Sequence, residues 1–316
     1  MLAFILRRFA SMLFVLFCVV SLTFCMMHFM KGGPFDRERK VPPAIEEELL
    51  ARFNLKGPLW QQYLTYMGVR KNATGHYSGL LEGDLQPSLK YRSRTVKELL
   101  AQTLPVTMTL GLAAFIIATT VGVWLGSWAA VRHNTSIDTG AMLAALFAIS
   151  IPTFVTGPLL ILIFAIYLGW LPVGGWMGLG TLVLPAITLA APYVAYVARL
   201  MRSSMLEVLG QDYIRTARAK GLPELRVVYK HALKVAILPV VSFLGPLAAN
   251  LLTGSLVVET VFNIPGAGVF FVSSIANRDG FLLCGVVMVY CSLLVLLNLL
   301  VDIAYTWLDR RIKLYE

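Results

Sequence analysis

The chain has 316 residues, of which 58% are hydrophobic and 14% charged, with a formal net charge of +10 and a mean hydropathy of +0.74. A water-soluble chain carries roughly a quarter charged residues, so this deficit excludes an ordinary soluble domain and points to burial in lipid. The positive balance then reports which loops stay in the cytoplasm and meet lipid headgroups, with no nucleic-acid partner implied.

About 20 apolar residues carry a helix across the hydrocarbon core. Uncharged runs of that length or more occupy 9–30, 99–131, 139–198, 235–258 and 280–301. The third is too long for one helix. It is punctuated by Leu168-Gly-Trp-Leu-Pro-Val-Gly-Gly-Trp-Met-Gly-Leu-Gly180, whose glycines and proline read as a turn. The prediction is an all-α integral membrane protein with six spans at 9–30, 104–131, 140–168, 182–202, 235–258 and 280–305.

The first span follows Arg7-Arg8. The run is too long for a signal-peptide core and no small-x-small site follows, so the arginines read as a cytoplasmic anchor. The segment 31–98 is then a small extracytoplasmic domain or lid. Within it, Ile45, Leu49 and Phe53 recur at helical spacing behind Pro42 and Pro43, which predicts a short helix over 43–53. The aromatic residues Trp60, Tyr63 and Tyr66 read as packing against the bilayer or the segment itself.

Beyond the second span, Arg132 marks a short basic loop, and the loop after the fourth span is densely basic from Arg199 to Lys234. The tail, 306–316, holds Arg310, Arg311 and Lys313. Positive charge near span ends is retained in the cytoplasm, so these segments share one side with both termini. The 169–180 turn, with interfacial Trp170 and Trp176, and the sparsely charged 259–279 loop face the other. Domain organisation is therefore a first helix to 30, an extracytoplasmic segment 31–98, a helical core 99–305 with a cytoplasmic loop 203–234, and the tail.

Several chemistries find no support. Cys18, Cys25, Cys284 and Cys291 fall inside spans without a neighbouring His, which predicts no metal site. No Gly-x-x-x-x-Gly-Lys-Ser/Thr phosphate loop and no Gly-x-Ser-x-Gly elbow occur, and His28, His76, His133 and His231 lie at span ends or in loops. The chain is expected to hold no ATP site and no hydrolytic centre. Ser150 and Thr153 beside Pro152, and Asn250 and Thr253 in the fifth span, are polar residues within spans. Such residues line a cavity or bond helices together, and both readings stand. Asp302, near the end of the last span, reads as an ion-pair partner for a neighbouring helix.

The most informative stretch is Asp212-Tyr-Ile-Arg-Thr-Ala-Arg-Ala-Lys-Gly221. Asp212 suits an N-cap, Lys220 the negative helix end and Gly221 a left-handed stop, while Pro223 opens a following helix. Two turns of helix are marginal in water, so this one is expected to dock against something. On charge alone the loop reads as topogenic, drawn to anionic lipid, and it is the exact string that points elsewhere.

The string itself, with His231-Ala-Leu and Leu238-Pro239 after it, closely resembles the coupling-helix motif of binding-protein-dependent ABC importers of the dipeptide and oligopeptide permease family. In the wider superfamily that motif centres on Glu-Ala-Ala with a Gly four residues on, and here Arg215-Thr216-Ala217 and Gly221 hold those places. Leu6-Arg-Arg-Phe9, Lys31-Gly-Gly-Pro-Phe35, Gly83-Asp-Leu85, Gly174-Gly175-Trp176 and Glu259-Thr-Val-Phe-Asn-Ile-Pro-Gly-Ala-Gly268 extend the likeness over nearly the whole chain, most closely to the oligopeptide branch. The tail Leu308-Asp-Arg-Arg-Ile312 departs from it, since the family usually has Pro after the Asp.

The resemblance implies a type I ABC importer fold in a bacterial inner membrane. It implies a homologous second permease, two cytoplasmic ATPase subunits that hold ATP and Mg, an extracytoplasmic peptide-binding protein and a peptide substrate. On the same footing, Asp212, Tyr213, Arg215, Thr216, Ala217, Arg218, Lys220 and Gly221 are expected to couple the chain to its ATPase, with the small Ala217 letting an ATPase cleft approach. The competing class is a stand-alone secondary transporter or channel, which typically shows ionisable residues at mid-span.

Overall fold

The computed structural model describes residues 2–29, 57–72, 75–91 and 94–308, with the isolated positions 47, 50, 53 and 55. Regular structure among them is helical, apart from the isolated bridges Lys71 to Tyr77 and Pro87 to Thr95. In chain order the helices are α1 Leu2–Phe29, α2 Leu59–Met67, α3 Val96–Val131, α4 Ser136–Ser150, α5 Thr153–Tyr167, α6 Leu179–Leu209, α7 Asp212–Ala219, α8 Glu224–Ala236, α9 Leu238–Leu252, α10 Leu256–Val261, α11 Gly268–Ala276 and α12 Gly280–Leu308.

Among the described residues, four helices are long and apolar enough to cross a membrane: α1, α3, α6 and α12. The pairs α4 with α5 and α8 with α9 pass the same test jointly, with bends of 109° and 54°, so up to six spans are present. Both bends correct the continuous helices expected over 140–168 and 235–258, and both sit at proline. Pro152 disfavours helical geometry in the residue before it, and Ile151 is extended (φ −88°, ψ 120°). Pro239 lies in the first turn of α9 and supplies no N–H to continue α8. The fifth span also ends earlier than expected, at Leu252, with the short α10 beyond it. By contrast, α3 and α6 run further than their uncharged cores, starting at Val96 and ending at Leu209. The helix expected over 43–53 lies largely outside the described residues.

Two compact units emerge. The first comprises residues 1–105 and 266–293. Its core is aromatic: Tyr66 of α2 stacks on Phe24 of α1 at 5.7 Å and on Phe281 of α12 at 6.0 Å. Tyr63 shares a 2.6 Å hydrogen bond with Ser21, and Gln62 meets His28 at 3.0 Å, so α2 is fastened to α1 by polar groups beside the rings. The two tyrosines pack on the long helices, Tyr63 on α1 and Tyr66 on α1 and α12, and not on the bilayer or on 31–98 alone, while Trp60 is exposed.

The second unit comprises residues 106–265 and 294–316. Much of α6 is buried in it, including Leu184, Ala190, Ala195, Ala198, Met201 and Met205. Gly122 and Gly126 on α3 allow the close approach. A Cβ on Gly126 would fall 2.3 Å from the carbonyl oxygen of Ala198, and one on Gly122 2.7 Å from Val197 Cβ. Small residues one turn apart are how membrane helices bring their backbones together without a hydrophobic drive.

Candidate functional site

The segment after α6 builds a short helix on a fixed base. Gly210 and Gln211 alone separate α6 from α7, and Gln211 takes the extended N-cap conformation without a side-chain cap (φ −73°, ψ 151°). Asp212 is therefore the first helical residue rather than the cap, where its charge still complements the helix N-terminus. Its carboxylate accepts from Arg215 at 3.4 Å, both side chains being exposed.

Spacing decides which face of α7 is offered. Ile214 and Ala217, three apart, are buried in the same core as Met205 and Val208 of α6. Asp212, Tyr213, Arg215, Thr216, Arg218 and Lys220 are exposed. This corrects the placement expected for Ala217: its side chain, 7% exposed, is turned into the core of its own chain and not outward. The polar remainder forms the outward surface.

The stop is the one expected. Gly221 adopts φ +76°, its N–H donates to the Arg218 carbonyl at 2.9 Å, and Leu222 N–H reaches the Ala217 carbonyl at 3.4 Å. A Cβ at Gly221 would meet nothing within 4 Å, so the demand for glycine is conformational, not steric. Pro223 then precedes α8, whose Glu224 accepts Nε and Nη2 of Arg218 at 3.0 and 2.6 Å. Glu224, hydrogen-bonded in this way, pushes the Arg218 guanidinium further up from its already high range. Between α3 and α8 lies a cavity of about 600 Å³, walled by Trp124, Trp128, Met205, Val228 and Tyr229.

Asp138 in the first turn of α4 is 3% exposed. Arg202 of α6 donates Nε to its Oδ1 at 2.6 Å and Nη2 to its Oδ2 at 2.7 Å. The Asn134 N–H adds a third donor at 3.0 Å, and His133 Nδ1 lies 3.3 Å from Oδ2. A two-pronged guanidinium–carboxylate pair fixes both distance and orientation.

Two further buried carboxylates hold loops. Glu259 of α10 is fully buried and accepts from Thr107 Oγ1 at 2.8 Å. Asp279, also fully buried, caps α12 by accepting from Leu282 N–H at 3.1 Å, and its other oxygen takes Ser88 Oγ at 2.5 Å and Lys90 N–H at 3.1 Å. Sequence reasoning missed these roles. Thr135 at the N-cap and Asp138 three residues on mark a helix start, and an Arg inside a hydrophobic stretch asks for a partner, but neither signal names the other.

The residues considered for a pathway do not gather round the cavity. Ser150 and Thr153 flank the bend at Pro152, and Ser150 Oγ donates to the Leu146 carbonyl at 2.8 Å. Asn250 is exposed near the end of α9, and Thr253 Oγ1 donates to the Ala249 carbonyl at 2.9 Å. Both of these hydroxyls are thus satisfied by their own helix.

A family model described as binding-protein-dependent transport system inner membrane component matches residues 122–314, which include α7 and the Asp138–Arg202 pair. The oligopeptide transport system permease protein OppB of Haemophilus influenzae is 42% identical over 316 residues, 99% of this chain and 100% of that protein. OppB of Escherichia coli is 42% identical over 315 residues, again 99% and 100% of the two chains. The dipeptide transport system permease protein DppB of Bacillus subtilis is 41% identical over 313 residues, 99% of this chain and 98% of that one. An inward-facing conformation of the MetNI methionine ABC transporter superposes with a TM-score of 0.58 at 17% identity, over 68% of this chain and 98% of its own, a likeness of fold. With its apolar spans and a match that runs nearly end to end, the chain belongs to the family of binding-protein-dependent transport system inner membrane components.

Proposed function

We propose that the chain is the permease subunit of an ATP-driven oligopeptide importer, forming half of the translocation pathway and passing ATPase closure into the membrane through α7. The observation that carries this is α7 itself: a helix with its own start and stop, anchored by Ile214 and Ala217 and presenting Tyr213, Arg215, Thr216, Arg218 and Lys220 outward. A short basic helix of that kind is shaped to sit in a partner. Full-length relatives named as oligopeptide and dipeptide permeases support the substrate class.

In this reading 203–234 and both termini are cytoplasmic, residues 31–98 are extracytoplasmic, and the chain sits in a bacterial inner membrane. Its partners are a homologous permease, two ATPase subunits carrying ATP and Mg, and an extracytoplasmic peptide-binding protein. Unequal contact of α7 with the ATPase in its two nucleotide states biases the inward-open against the outward-open arrangement, as any ligand-driven switch requires. Selection of the peptide rests with the binding protein, so no tight membrane site is needed.

Purification in mild detergent tests the assembly. Two ATPases and a second permease are expected to accompany the chain. Recovery of the chain alone, with uptake driven by a proton or sodium gradient, would replace this reading with a secondary transporter.

A further inference from the structure

We infer that the Asp138–Arg202 pair is the strut through which displacement of α7 reaches α4, which makes both side chains positioning residues for the transport cycle. The inference rests on the coupling role proposed for α7. Two residues link α7 to α6, and Ile214 and Ala217 lie in the core that holds Met205 and Val208 of α6 together with Val227, Val228 and Ala232 of α8, so displacement of α7 is carried to the end of α6 through the short link and this shared core. Arg202 lies seven positions before Leu209, about 10 Å up the helix from that end.

α4 packs directly against α6, and the Asp138–Arg202 pair is the buried ionic tie within that contact. The buried residues of α4 are Asp138 and Ala145, while Leu143, Leu146 and Phe147 are exposed. Asn134 N–H and His133 Nδ1 meet the Asp138 carboxylate from the α4 side, Thr135 Oγ1 accepts from the Asp138 backbone N–H, and Arg202 grips the carboxylate from α6 with two bonds of 2.6 and 2.7 Å. A buried ion pair is poor evidence for stability, because packed apolar residues often serve as well. What it does supply is a directional link that transmits both push and pull. Beyond the pair, α4 runs to the 109° bend at Pro152, so a shift at Asp138 is delivered to α5 as well.

The test uses the assembled complex in proteoliposomes, with ATP hydrolysis, oligopeptide uptake and the amount of complex measured together. Asp138→Asn keeps the shape of the side chain and Arg202→Gln removes the cation. Each is expected to hydrolyse ATP while moving about tenfold less peptide per ATP, within the range usual for coupling between sites. The exchange Asp138→Arg with Arg202→Asp should recover part of the loss. An unchanged ratio of peptide to ATP in the single variants, even with less complex assembled, would overturn the strut and leave a purely structural tie. Should neither variant assemble, Arg202→Lys decides: it keeps the charge and loses the two-pronged grip, so an unchanged ratio overturns the strut and a reduced one supports it. A wild-type complex that takes up no peptide would strike the proposed substrate class instead. The strut would then be read from nucleotide-dependent labelling of a cysteine at Leu143, in a background free of native cysteines. Asp138→Asn should abolish that dependence, and its persistence would overturn the strut.

Discussion

Arg218 reaches over the turn at Gly221 to Glu224, so the last turn of α7 is clasped to the first turn of α8 by bonds of 3.0 and 2.6 Å. Both side chains are about half exposed, which limits what the clasp contributes. A double-mutant cycle of Arg218→Ala and Glu224→Gln, read as ATPase affinity, should give a coupling of about 0.2–1 kcal/mol that shrinks as salt is raised. A loss of affinity from Arg218→Ala that persists undiminished in the Glu224→Gln background would mean that Arg218 bonds the ATPase directly.

Gly221→Val places a branched side chain at φ +76°, at a cost of about 1–2 kcal/mol. Ala217→Trp forces a large ring into the core shared with Met205, about 1–3 kcal/mol or more. Both should leave the subunit inserted while shedding ATPase or separating hydrolysis from uptake. If the loop is only topogenic charge, Gly221→Val transports normally, and neutralising Arg215, Arg218 and Lys220 does the damage. Uptake and ATPase retention measured on the same membranes decide between them.

Two glycines in helices should respond oppositely to alanine. At Gly126 the new methyl falls 2.3 Å from a backbone oxygen of α6, so Gly126→Ala should push α3 and α6 apart and lower the melting temperature in detergent. At Gly140 nothing lies within 4 Å, and Gly140→Ala should be neutral or stabilise by up to about 1 kcal/mol through helix propensity.

Asp279→Ala removes the cap of α12 and the acceptor of Ser88 Oγ, while Lys90 N–H keeps Ser88 Oγ at 3.3 Å. The cap contributes about 1 kcal/mol and the stranded Ser88 hydroxyl about 1–3 kcal/mol. Asp279→Asn, which keeps an acceptor oxygen, should lose markedly less, and equal losses would show that the charge rather than the bonding matters. Thermal unfolding of the two variants side by side reads the difference.

Cysteines at Ser78 and Gln211, in a background without native cysteines, should label oppositely with an impermeant thiol reagent in whole cells. Labelling of both would refute the proposed sidedness. In liposomes the lone subunit should move no peptide, with or without an ion gradient.

Much of this protein follows from local sequence. Length and apolarity mark the spans, since lipid demands that every backbone group be satisfied within the helix. The strings around Asp212 and Gly221 mark a short helix and its stop, because termination is a conformational property of single residues. Tertiary structure decided what those elements meet. The wide bend at Ile151 was written in Pro152, yet an uncharged run hides it, since hydropathy is blind to direction. That Ala217 faces inward depends on where α6 lies, and periodicity gives a face without saying what covers it. Asp138 and Arg202 stand 64 positions apart, and Thr107 and Glu259 152 apart. A charge in an apolar stretch announces that it needs a partner, but only the packing of helices brings that partner within 3 Å.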